Sequence, residues 1–435
     1  MRDLMAMSVV IGLVALSLRS ASAAYTAWAW TSVAAFNVYM YGFMQSVPVN
    51  QIVALISIGL IVAKKDAQRG PFEFNRSMVL FALFFVQATL SAAFAYDGLA
   101  ANVDTYSNLF KALLFCVFMP MVLTTRARIH AVMLVMALGL SFHGLLDGLK
   151  FLASGGGHRA QGFSKFGDNN HLAVALAMSV PWLLYLTQYS ANRWIRWGFL
   201  GALFANVLGV MATHSRGGLL ALMALATGSA MNSRRKFLNL GIIVLAVVAV
   251  LLLAPDSWSE RMSSIKEAGT DDSFMSRVLS WKRSSAIALE NPLLGGGFSA
   301  VQSSVIYWKF ANSEGFLGFL ATPPPSGIPY ASHSIYFQVL GDMGFLGFFL
   351  FMAILANAFI LRREIKRIVK AAGPSLNWAG DLADVLGVSM LAYVVGGAGV
   401  SLAYLEVVYA VVMLLEVLKR QVRIEAAKPS GAESA

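Results

Sequence analysis

Four polar residues stand out in an otherwise apolar chain: Arg159 in HRAQGF, Arg216 in HSRGG, Arg277 in SFMSRVLSW and His333 in HSIYFQVLGDMGFLG. An arginine fork stays charged and donates paired hydrogen bonds, the chemistry needed to grip phosphate. A histidine opening a helix feels the positive end of the helix dipole, which favours the neutral, proton-accepting imidazole. Such a base can deprotonate a sugar hydroxyl as it attacks an activated sugar carbon. Singly, each residue has a plainer reading. A boundary arginine snorkels as an anchor, and a helix-opening histidine satisfies capping contacts. Three arginines at loop–helix junctions of a charge-poor face favour the chemical reading. Asp168-Asn169-Asn170-His171 opens another helix and reads equally as a polar cap or a carbohydrate contact. Of six histidines, His158, His171, His214 and His333 fall near this same face. No HExxH, DxD or carboxylate-pair spacing accompanies them, so the expected chemistry is metal-independent, with arginines supplying the electrostatics.

The elements that must position these residues are membrane helices. The chain has 435 residues, 58% hydrophobic and 13% charged, against about a quarter charged in soluble domains. That composition excludes a water-soluble globule. Lone Cys116 excludes intrachain disulfides, and no P-loop or dinucleotide fingerprint supports nucleotide hydrolysis. Apolar runs fall near 4–18, 22–45, 48–63, 77–95, 107–124, 129–152, 171–189, 195–213, 217–232, 237–254, 333–361, 379–397 and 400–418. Basic clusters occupy every second gap, at 64–76, 126–128, 193–196, 234–236, 362–370 and 419–428. The positive-inside rule makes those gaps cytoplasmic, so the net charge of +11 is mainly a topology signal and not a nucleic-acid footprint. The reading is an all-α polytopic membrane protein of about 12 spans, with thirteen as the alternative. The run at 4–18 is short and reads as a short or interfacial helix, although Ala21-Ser22-Ala23 resembles a signal-peptidase site. The run at 379–418 is either two spans broken at Gly396-Gly397-Ala398-Gly399 or one bent helix.

The parts are then an N-terminal transmembrane bundle (1–254), a periplasmic cap loop (255–332), C-terminal transmembrane helices (333–420) and a cytoplasmic tail (421–435). So long a loop is usually functional. Helical spacing over 256–267 and 273–290, with Arg and Lys between apolar positions, predicts surface-lying amphipathic helices. Asn291-Pro292 and Gly295-Gly296-Gly297 predict a break and a flexible turn, and Pro323-Pro324-Pro325 a stiff descent.

The motifs RAQGFSKFGDNNHLA, SRGG, ENPLLGGGFS and HSIYFQVLGDMGFLG, spread over roughly 150–365, resemble the bacterial O-antigen ligase/O-antigen polymerase superfamily of membrane glycosyltransferases. The chain is most similar to the O-antigen ligase-like proteins, close to the O-glycosylation ligase branch. The resemblance implies a lipid-phospho-sugar-dependent glycosyltransferase of the inner membrane, with its site facing the periplasm. It implies a donor glycan on undecaprenyl pyrophosphate and a lipid A-core acceptor, in lipopolysaccharide biosynthesis. By motif, His333 matches the family's essential histidine, and Arg216 and Arg277 match its external arginines. Arg159, Asn169, Asn170, Ser215, Ser334 and Tyr336 fall on the substrate side, although GDNNHLA departs from the Asn-Pro-Asn form of many relatives. No cofactor and no nucleic-acid partner is expected beside the membrane lipid. Polymerase or protein O-oligosaccharyltransferase activity differs only in acceptor. A transporter of lipid-linked glycans is the alternative from another class, but the chain shows no clear internal repeat.

Overall fold

The computed structural model describes residues 2–40, 42–63, 70–98, 102–162, 166–232, 272–322 and 327–428, with 241 and 248 singly. Among them the chain is all-helical. The principal helices are α1 (Arg2–Ser17), α2 (Ala21–Ala34), α3 (Val49–Ala63), α4 (Arg76–Ala93), α5 (Val103–Val122), α6 (Arg126–Ala153) and α7 (Asn169–Tyr189). They continue as α8 (Arg193–Ala212), α9 (Arg216–Asn232), α10 (Asp272–Glu290), α11 (Ser304–Phe310), α12 (Ile335–Ala372), α13 (Asn377–Gly396) and α14 (Glu406–Ala426). Among the described residues, seven segments are long and apolar enough to cross a membrane: α4 to α8, α12, and Pro374–Gly399, which contains α13. The helices α1, α2, α3 and α9 are shorter, at 16, 14, 15 and 17 residues. The apolar run at 237–254 and the helical spacing at 256–267 lie outside the described residues, apart from 241 and 248.

One expected span is corrected, and one open alternative is decided. The run at 22–45 is not one helix: α2 ends at Ala34, Ala35 takes φ +40°, and two 3-10 turns follow at Phe36–Tyr39 and Phe43–Gln45. Tyr39 makes a 2.6 Å hydrogen bond with His143 Nδ1 on α6, a long-range tie that local apolarity cannot announce. The 379–418 run is two helices, separated by a Gly397–Gly399 3-10 turn and an extended link. The last helix runs through Ala426, so the 421–435 segment begins as helix.

Long helix α12 carries a break at Gly344, where φ is +66°. Membrane helices tolerate such a break when neighbours satisfy the freed backbone groups. Here the 292–297 segment does so. Phe345 N donates to Pro292 O at 2.8 Å, while Gly296 N and Gly297 N donate to the carbonyls of Gly341 and Asp342 at 2.9 and 3.0 Å. From α4, Ser91 Oγ reaches Asp342 O at 2.6 Å and Gln87 Nε2 reaches Met343 O at 3.1 Å. The triple glycine is therefore a docked strap, not a flexible turn. Gly295 and Gly297 hold φ of +66° and +94°.

The other side of the bundle packs through small residues, with Gly144, Gly148 and Gly209 at the α6–α8 crossing, as membrane helices do when backbones approach closely. The basic clusters are partly paired: Asp384 binds Arg362 at 2.6 Å and Lys366 at 2.7 Å, and Glu364 binds Lys419 at 2.7 Å.

A Cβ at Gly295 would meet Gly344 N at 2.5 Å and Asp342 C at 2.6 Å. Gly295→Val should therefore cost about 2–4 kcal/mol, from overpacking plus a left-handed β-branched residue. Gly155 also has positive φ, but open space surrounds it, so Gly155→Ala should cost only about 1 kcal/mol. Unfolding in detergent, monitored by tryptophan fluorescence, should rank the two variants in that order.

Candidate functional site

Short links make α7 and α8, α8 and α9, and α12 and α13 antiparallel neighbours. The start of α7, the α8–α9 turn, the start of α12 and the end of α13 thus meet at one end of the bundle. Asp168 caps α7 by accepting from His171 N at 2.9 Å. Asn169 Nδ2 donates to Thr213 O at 2.7 Å, and Ser215 Oγ donates to Asn170 Oδ1 at 2.8 Å. A Cβ at Gly217 would lie 3.5 Å from Gly396 O, so the start of α9, which Arg216 opens, abuts the glycine turn ending α13. On that turn, a Cβ at Gly399 would lie 3.5 Å from Arg277 Nη1.

Arg277 reaches this point because α10 is pinned one turn further along. Trp281 stacks on Phe337 of α12, with centroids 5.2 Å apart, and its Nε1 donates to Ser332 O at 2.7 Å. Residues four apart share a helix face, so Trp281 sets the face that Arg277 presents. The cap is not simply surface-lying: Lys282 and Arg283 are buried. Lys282 pairs with Glu314, and Arg283 lies 4.3 Å over the Tyr307 ring.

His333 does not open α12 directly. The helix starts at Ile335, and His333 sits two residues earlier at φ +44°, with its backbone N donating to Ser401 Oγ at 2.8 Å. A left-handed histidine is uncommon, and strained residues cluster at functional sites. It lines a cavity of about 490 Å³ together with Asp168 and His171. His333 Nδ1 and His171 Nε2 are both buried without a hydrogen-bond partner among the described residues. Burial first, then the positive charge of Arg277, hold the His333 imidazole below its ordinary 6.5, while Asp168 pulls the other way. The neutral imidazole is therefore the resting form near pH 7.

The structure thus brings His333, Arg277 and the start of α9 around the 396–401 turn, although Arg216 and Arg277 are not part of the cavity lining. Arg159 is exposed, next to Ala160, whose N donates to Ala212 O at 2.8 Å, and it too is absent from the lining. Asn169, Asn170 and Ser215 are engaged in tying α7 to the α8–α9 turn. Tyr336 donates to Val394 O at 2.8 Å, and Ser334 is buried as the N-terminal flank of α12. These five side chains act as scaffold more than as lining. Sequence reasoning missed Lys111, Gln338, Ser401 and Glu406, all of which line the cavity. A lone glutamine in the apolar start of α12 and a glutamate in an apolar run were the available signals, because polar groups at membrane depth are expensive and usually functional. Among the described residues no cluster of His, Cys, Asp and Glu has the makings of a metal site.

Fold and site together define a polytopic α-helical membrane protein with a histidine-bearing polar cavity, and with Arg277 at the adjoining 396–401 turn. Residues 199–352, which hold Arg216, Arg277 and His333, match the family model described as O-antigen ligase. That match supports a place in the O-antigen ligase superfamily and a ligase- or polymerase-type role in glycan processing. Residues 1–191 match a family of unknown function. No curated protein matches the chain.

Because Arg277 lowers the His333 pKa, Arg277→Gln should move it upward, toward the unperturbed 6.5. Titration of ¹³C-labelled histidine by NMR, with His333→Gln to assign the signal, should show this upward shift. An unchanged midpoint would mean that the two charges do not communicate.

Proposed function

We propose that the protein is an O-antigen ligase of the bacterial inner membrane, with about twelve spans. It transfers a glycan from undecaprenyl pyrophosphate to a sugar hydroxyl of lipid A-core on the periplasmic face. The observation that carries this reading is His333, a strained, neutral imidazole with a buried unpartnered nitrogen, placed beside Arg277 within the segment matching the O-antigen ligase family.

In the proposed reaction His333 takes the proton of the acceptor hydroxyl as its oxygen bonds to the anomeric carbon. The bond from that carbon to the pyrophosphate oxygen breaks, and undecaprenyl pyrophosphate leaves with the electron pair. Arg216 and Arg277 stabilise the charge that builds on the leaving group, a task that preorganised donors perform without reorganisation. Direct attack from the opposite face inverts the anomeric centre. The arginines do the electrostatic work that a divalent ion performs in other transferases.

In proteoliposomes with lipid-linked donor and lipid A-core, His333→Ala should lower transfer by about 10²–10⁴-fold while insertion and thermal stability persist. Arg216→Ala and Arg277→Ala should each cost about 10²–10³-fold. Full turnover in His333→Ala would remove the base. Sensitivity to chelators would remove the metal-free mechanism, and joined repeat units without lipid A-core would reassign the enzyme as a polymerase.

A further inference from the structure

The cavity in front of His333 has a wall that the proposed chemistry leaves unused. Six carboxamides line it: Asn37, Asn50, Gln51, Asn108, Gln302 and Gln338. Its charged lining is Lys111 against the carboxylates of Asp168 and Glu406, an unfavourable balance for an anion. The arrangement follows from the helices. Thr105, Asn108 and Lys111 recur every three residues, so one face of α5 looks into the cavity, and Asn50 and Gln51 project from the first turn of α3. Two of the amides are held in place. Thr31 Oγ1 donates to Asn50 Oδ1 at 3.1 Å, and Ala403 N donates to Gln338 Oε1 at 3.0 Å. These two bonds use the amide oxygens and leave the NH₂ groups of Asn50 and Gln338 to face a ligand, whereas Asn37 Nδ2 donates to Gln45 O at 3.4 Å.

A carboxamide donates and accepts at once, as a sugar hydroxyl does, and it carries no charge to attract phosphate. Arg277, by contrast, approaches the 396–401 turn, and neither it nor Arg216 is part of this lining. His333 therefore stands between a cationic side suited to pyrophosphate and a neutral, amide-rich side suited to hydroxyls.

We propose that the wall built by α3 and α5 is the acceptor subsite, and that it takes an uncharged saccharide terminus, not a phosphorylated sugar or a peptide. The proposal rests on the glycosyl-transfer reading and adds the acceptor's chemistry to it. It also gives a task to the segment that matches a family of unknown function, because Asn37, Asn50, Gln51 and Asn108 all belong to residues 1–191.

The test uses the full chain in lipid nanodiscs and the double variant Gln51→Ala/Asn108→Ala. The probes are a trisaccharide of uncharged hexoses and the same trisaccharide carrying a terminal phosphate. Direct binding of the neutral probe should be detected for the wild type by saturation-transfer NMR and weaken about tenfold in the variant, the size expected from losing one or two hydrogen bonds. In transfer assays the neutral probe should compete with the acceptor, and the variant should raise acceptor KM about tenfold while donor KM moves less than twofold. Stronger binding of the phosphorylated probe would overturn the assignment, as would equal binding of the neutral probe by both proteins. A rise in donor KM without a rise in acceptor KM would overturn it too. A wild type that binds the neutral probe but transfers no glycan would defeat the enzymatic reading and leave a saccharide-binding wall.

Discussion

A helix inside a bilayer must satisfy every backbone amide and carbonyl, and α12 breaks at Gly344, about 15 Å along from its start. The segment at 292–297 supplies the missing partners from outside the helix, and α4 supplies the rest. That docking fastens the cap to the bundle. It fixes the strap that follows α10, and so helps set where Arg277 stands. Two residues before the break, the buried Asp342 side chain ties α12 to the cavity: its Oδ2 accepts from Tyr404 OH at 2.8 Å, and Tyr404 lines the chamber. One discontinuity thus organises both the cap and the chamber under it.

The second organising contact is the turn between α13 and α14. Its glycines let the start of α9 and the Arg277 side chain approach closely, and its Ser401 hydroxyl holds the left-handed backbone of His333. A bulkier turn would separate the cationic side from the imidazole. Charge is divided accordingly: the Arg277 guanidinium stands at the turn on one side of His333, and carboxamides line the cavity on the other.

Much of this was legible in the residues, for physical reasons. Apolar runs of about 20 residues announce membrane helices because a bilayer admits little else. Asp168 at the start of α7 fell where a cap was expected, because an acceptor side chain satisfies orphan N–H groups. The amphipathic spacing of 273–290 appeared as helix α10. Less legible were the places where tertiary partners override local signals. The break after Ala34, the burial of Lys282 and Arg283, and the docking of Gly295-Gly296-Gly297 all depend on atoms remote in sequence. Local spacing carries no information about them.

By itself the sequence determined that the chain is a helical membrane protein and that a few arginines and histidines lie apart from the charges that orient it. It did so because hydropathy and charge position are properties of single segments. Only the tertiary structure decided which of those groups meet. It turned Tyr336 and the Asn169-Asn170 pair into scaffold, left Arg159 exposed, and placed Lys111, Gln338, Ser401 and Glu406 around His333. A cavity is assembled from the ends of helices far apart in sequence, and its composition is a sum over elements that no single segment specifies.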